Sequence, residues 1–206
     1  MTENLERARH LQERVHTYLK TGLLNEARNL KEDWRTFSYI LSTLPITGLY
    51  HITDSKNVQS IFKHGCLMSS NAQNKKGILV WGATSKPESY ANCVHLSLCP
   101  HVSIFRALKQ QSEQPVLLTI DPIAALLKGT IFRYCADPAT RQYYGNETTE
   151  SLLKINFEAE FQSLSQDLQK QEAQAEMKTN PSQYRNAVIL VPDEVPSFLI
   201  KDIKLL

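Results

Sequence analysis

The run Pro115-Val116-Leu117-Leu118-Thr119-Ile120 is apolar almost throughout and of strand length, and it constrains the fold more than any other stretch. A strand that is apolar on both sides of its pleat needs cover on both faces, so it belongs inside a sheet. Other strand-like runs surround it. They are Gly48-Leu49-Tyr50-His51-Ile52, Val94-His95-Leu96-Ser97-Leu98, Ile131-Phe132-Arg133-Tyr134-Cys135 and Ala187-Val188-Ile189-Leu190-Val191, the last closed by Pro192. A final apolar segment, Phe198-Leu199-Ile200-Lys201-Asp202-Ile203, follows. These runs do not alternate with helices as a doubly wound sheet requires. The reading is an α+β fold with a mainly antiparallel sheet.

Residues 5–40 read as helix. Leu11, Val15, Tyr18 and Leu19 form one apolar stripe, and Leu23, Ala27, Leu30 and Trp34 resume it after a break at Thr21-Gly22. Pro45 ends this region, so residues 1–44 are expected to be an N-terminal helical extension and residues 45–206 the main domain. Thr53 or Asp54 can cap a helix through Val58, Ile61 and Phe62 that stops at Gly65. Residues 69–92 are polar and breaker-rich and read as a long surface loop, as does the stretch from Asp137 to Glu147. A helical patch is expected around residues 104–109, and residues 158–178 read as an acidic, glutamine-rich, exposed helix.

The chain has 206 residues, 42% of them hydrophobic and 21% charged, which suits one sizeable core and excludes a collagen-like or wholly disordered chain. No apolar run approaches the ~20 residues that span a bilayer. The acidic start, Met1-Thr2-Glu3-Asn4-Leu5-Glu6, is unlike a secretory signal, so a soluble, cytoplasmic, membrane-free protein is expected. The four cysteines (Cys66, Cys93, Cys99, Cys135) include no Cys-x-x-Cys pair, and the expectation is buried thiols and no metal. Net charge is only +2, but it is unevenly spread. Residues 54–109 carry seven Lys or Arg against two acids, whereas residues 147–178 carry seven acids against three lysines. The middle of the chain therefore suits a polyanion or a phosphate-bearing ligand.

Glycine-loop nucleotide motifs, the Gly-x-Ser-x-Gly elbow and the His-Glu-x-x-His helix are all absent. His10 and His16 read as surface residues, and His64 as a partner of a helix C-terminus. His51, His95 and His101 lie in or beside apolar strands near breaker-rich loops, where they serve either as core residues or as site residues.

One set of motifs resembles the DarT-type ADP-ribosyltransferases. It opens with Gly48-Leu49-Tyr50-His51-Ile52-Thr53, Asn57-Val58 and Ser60-Ile61-Phe62-Lys63-His64-Gly65-Cys66-Leu67. It continues through Val94-His95-Leu96-Ser97-Leu98-Cys99-Pro100-His101 and Pro115-Val116-Leu117-Leu118-Thr119-Ile120-Asp121-Pro122, and closes with Val191-Pro192-Asp193-Glu194-Val195-Pro196. The resemblance covers about residues 46 to 206. It implies a split antiparallel sheet with an NAD cleft between its halves, and a bacterial toxin that transfers ADP-ribose from NAD onto a base of single-stranded DNA, with a macrodomain antitoxin as partner and a role in toxin–antitoxin or anti-phage systems.

By the same resemblance, His51 donates to a ribose hydroxyl of NAD, and Tyr50, Ile52, Thr53, Asn57, Gly65, Leu67 and Ser97 line the cofactor pocket. His101 stands where relatives carry an arginine and would contact phosphate or the target base. Lys75, Lys76, Trp81, Tyr184 and Arg185 would meet the nucleic acid, the aromatics as stacking platforms. The family's catalytic glutamate falls at Val188, or at Ala187 with a one-residue shift, and neither side chain can stabilise an oxocarbenium ion or accept a proton. Three explanations stand side by side: an engineered inactive form, a natural member that binds without catalysing, or another acid such as Glu194 or Glu160 in that role. The acceptor alternatives are RNA or protein, and the alternative class is a catalytically dead NAD- or nucleic-acid-binding module.

Overall fold

The computed structural model describes residues 2–44, 46–79, 90–98, 100, 114–137, 142–157 and 187–206. Its strands are β1 (Leu49–Asp54), β2 (Cys66–Met68), β3 (Cys93–Ser97), β4 (Pro115–Ile120), β5 (Ile131–Asp137), β6 (Gln142–Asn146), β7 (Val188–Pro192), β8 (Glu194–Pro196) and β9 (Ile200–Leu205). Seven of them form one sheet in the order β6-β5-β7-β3-β1-β4-β9, and β2 pairs with β8 apart from it. Every pairing is antiparallel. The apolar run is β4, with a hydrogen-bonded neighbour on each side. The expected α+β class therefore holds.

Register partners in an antiparallel pair share a face, and successive residues alternate between faces. One face carries Leu49, Val94, Leu96, Val116, Leu118, Ile120, Phe132, Ile189 and Val191, all buried in a common core. Against it lie Leu11, Val15, Trp34 and Phe37 of the helices α1 (Thr2–Lys20) and α3 (Trp34–Thr43). Phe37 stacks on Phe132 with ring centroids 5.4 Å apart. Each such large side chain, fully buried, contributes about 1.5–3 kcal/mol. The opposite face carries Tyr50, Ile52, His95, Ser97, Val188 and Arg133, all of intermediate exposure.

Several local expectations change. The helical stripe breaks at Gly22, in the left-handed region at φ 73°, as read from the sequence. The second half is not one helix, however. It is a single turn α2 (Glu26–Asn29), a bridge between Leu30 and Leu127, and then α3, which leaves Leu23 half exposed and buries Leu24 instead. The cap of α4 (Ser55–His64) is Asp54, whose side chain accepts from Lys56 N. Phe62 of α4 faces solvent rather than the core. The start of the supposed 69–92 loop is helix α5 (Ser70–Lys75), because Ser69 accepts from Ala72 N and caps it. The supposed loop at 137–147 contains β6, an edge strand that pairs β5 and so needs no apolar face. The short helix α6 (Thr149–Leu153) follows it. The expected helices at 104–109 and 158–178 lie outside the described residues. No described helix is long and apolar enough to cross a membrane.

Candidate active site at a seam in the sheet

Among the described residues, strands β1 and β3 meet at a single register pair, Tyr50↔Ser97. By contrast β1 pairs β4 along its whole length, and β3 pairs β7 from Cys93 to Ser97. Among the described residues the sheet is thus two well-paired halves, β9-β4-β1 and β3-β7-β5-β6, joined at that pair. At this seam the His51 ring reaches across to β3, with Nδ1 3.0 Å from the backbone oxygen of His95. A carbonyl only accepts, so Nδ1 carries the hydrogen of this bond.

Beside the seam, Tyr50, Ser97 and Val188 are successive register partners across β1, β3 and β7 and share the half-exposed face. Ile52 is on the same face of β1. Thr53 and Asn57 are buried, and Asn57 Nδ2 donates to Thr53 Oγ1 at 2.9 Å, which ties the first turn of α4 to the end of β1. Gly65 closes α4 at φ 72°, a conformation that favours glycine, and a Cβ there would meet no protein atom within 4 Å. Leu67 is a core residue of β2, 3% exposed. Lys75 and Lys76 are exposed at the end of α5. Lys76 Nζ lies 3.9 Å from Glu194.

Position 188 is the one on the row. Ala187, 3% exposed, is buried in the core cluster just before β7, whereas Val188 opens the strand on the half-exposed face. Glu194 is elsewhere, in the small β2–β8 sheet, where the Cys66 thiol donates to its Oε2 at 3.3 Å. Burial and this carboxylate push the Cys66 thiol up to about 11. His101, Trp81, Tyr184, Arg185 and Glu160 lie outside the described residues. Among the described residues no group of three or more His, Cys, Asp or Glu could hold a metal ion.

Sequence reasoning passed over Arg133. It is the register partner of Val188 on the other side of β7. Its guanidinium carbon lies 4.1 Å from the centroid of the Tyr143 ring and 4.7 Å from that of Tyr90. Tyr90 in turn meets the His95 ring edge-on at 6.2 Å, and His95 Nε2 lies 3.3 Å from Tyr90 O. A charged residue within the apolar run Ile131-Phe132-Arg133-Tyr134 was the available signal.

Three solved structures resemble the fold. Thermus sp. 2.9 DarT in complex with carba-NAD+ aligns at TM-score 0.50 and 18% identity, covering 77% of this chain and 82% of that one. The same protein in complex with NAD+ aligns at 0.47 and 17%, covering 77% and 81%. In complex with ADP-ribosylated ssDNA it aligns at 0.49 and 17%, covering 78% and 82%. No curated protein sequence matches significantly. The fold and its split sheet define the chain's class as an ADP-ribosyltransferase fold. Residues 50–205 match the family described as "ssDNA thymidine ADP-ribosyltransferase, DarT", and the chain belongs to that family.

Proposed function

We propose that the seam between β1 and β3 is the NAD cleft of a transferase that places ADP-ribose on a base of single-stranded DNA, and that the chain as it stands is an inactivated form. The observation that carries this is the row Tyr50, Ser97, Val188 at the seam that the His51 ring, from the other face of β1, crosses to reach β3. In this reading the His51 ring holds a ribose hydroxyl of NAD, and Tyr50, Ile52 and Ser97 line the pocket with Thr53, Asn57, Gly65 and Leu67 supporting it. Cleavage of the nicotinamide–ribose bond leaves positive charge on the ribose, which a carboxylate at 188 would stabilise and a valine does not. The extension 1–44 is an addition to the transferase unit 45–206. A toxin role in the cytoplasm, with a macrodomain partner that removes the modification, completes the proposal. His101 with Lys75, Lys76, Trp81, Tyr184 and Arg185 would serve the strand.

The experiment is calorimetry with NAD on the chain and on His51→Ala, followed by Val188→Glu and Ala187→Glu offered labelled NAD with a thymidine-bearing oligodeoxynucleotide, RNA and protein. Micromolar-range binding that His51→Ala abolishes, with transfer to DNA only by Val188→Glu, is the expected result. Transfer to RNA or protein instead would change the acceptor. NAD binding with no transfer by either glutamate variant would favour a binding module, and absence of NAD binding would overturn the reading.

A further inference from the structure

Arg133 is held and, among the described residues, without an acid. The two tyrosine rings fix the guanidinium by cation–π contact, so little side-chain freedom is left to lose on binding. Among the described residues no carboxylate pairs with it, and its buried Nε has no hydrogen-bond acceptor. Arginines enclosed in this way are ordinarily satisfied by an oxyanion, in fork geometry. Nor can a neighbouring side chain crowd it from β6. Its partner there is Gly145, where a Cβ would lie 2.7 Å from Arg133 Cα and closer still to the Phe132 oxygen.

The placement says which oxyanion. Tyr50, Ser97, Val188 and Arg133 form one row across β1, β3, β7 and β5. The residues read as holding NAD lie at the β1 end of that row. Arg133 lies one strand, about 4.8 Å, beyond position 188 on the far side. A group bound there flanks the reacting ribose from the side opposite the dinucleotide.

We infer that Arg133, clamped by Tyr90 and Tyr143, binds a backbone phosphate of the single-stranded acceptor and so sets where its target base stands against the cleft. This rests on the transferase reading above. It adds a phosphate contact on β5 to those proposed for the lysines of α5.

The test uses the full chain, a fluorescently labelled single-stranded oligodeoxynucleotide read by polarisation over a salt series, and NAD read by calorimetry. Arg133→Gln should weaken oligonucleotide binding about tenfold, the loss of one charge-assisted contact. It should also lower the slope of log K against log salt by about 0.7, the value for one phosphate on a single strand. Arg133→Lys keeps the charge without the fork, so it should restore the slope but only part of the affinity. It also guards against a fold defect in the glutamine variant. Unchanged oligonucleotide affinity and slope in Arg133→Gln, with both ligands still bound by the parent chain, would overturn this inference alone. A loss confined to NAD would move the phosphate to the cofactor and overturn it as well. If the parent chain binds neither ligand, the transferase reading falls and takes this inference with it.

Discussion

Cys66 shows how a single side chain responds to its surroundings. Its thiol is buried and donates to Glu194, and both effects favour the neutral form, so its pKa is pushed up to about 11. Because the folded-state value is raised, the stabilisation from the buried thiol is complete below the ordinary thiol range and is lost as pH rises through about 11. Peptide mapping after iodoacetamide treatment at pH 8 should find Cys66 about a hundredfold slower than an ordinary thiol. Glu194→Gln should narrow that gap, and equal rates would refute the assignment. The same scale shows what a sequence discloses about a site. That His51 needs a polar partner was legible, because a histidine inside an apolar strand demands one, and it bonds the backbone oxygen of His95. Arg133 carried the same signal. Its meaning depends on Tyr90, Tyr143 and Val188, which come from other parts of the chain and become its neighbours only through pairing.

Among the elements, those with strong local chemistry were readable and the short polar ones were not. The apolar run of β4, the alternation of β1 and the Gly65 stop of α4 each follow from side-chain period or backbone conformation. Helix α5 announces itself only by the Ser69 cap, since none of its residues is buried. Strand β6 lies at the sheet edge and shows no apolar face. Its pairing instead depends on Gly145, which lets the two backbones approach. Gly145→Ala should therefore force β6 away from β5 and destabilise the protein by about 1–3 kcal/mol, the usual range for overpacking. Urea unfolding checks this, and an unchanged midpoint would contradict the register Arg133↔Gly145.

For the whole molecule, the strand order could not be read from one sequence, because neighbours in the sheet come from distant parts of the chain. The grip of the N-terminal helices was equally hidden. Asp121, fully buried, accepts from Arg14 Nη1 at 2.7 Å, lies 3.0 Å from Lys201 Nζ, and caps its own turn by accepting from Ile123 N at 3.0 Å. Lys201 also donates to the Tyr18 hydroxyl at 2.9 Å, and although burial opposes its charge, Tyr18 and Asp121 raise its pKa. Asp121→Ala would leave two cations facing each other. It should cost near the lower end of about 3–5 kcal/mol, since both cations are part-exposed. Thermal unfolding would measure it, and an unchanged midpoint would mean that α1 is not anchored there. At the other end of the sheet, on the same face, Lys31 reaches the carbonyls of Thr130 and Glu147, and Phe37 lies on Phe132. The helical layer is thus fastened to both halves of a sheet whose own halves share one pair among the described residues. Mechanically it is a backing plate riveted across a hinge: the seam between β1 and β3 can open only as far as that plate flexes, so residues far from the seam set its aperture.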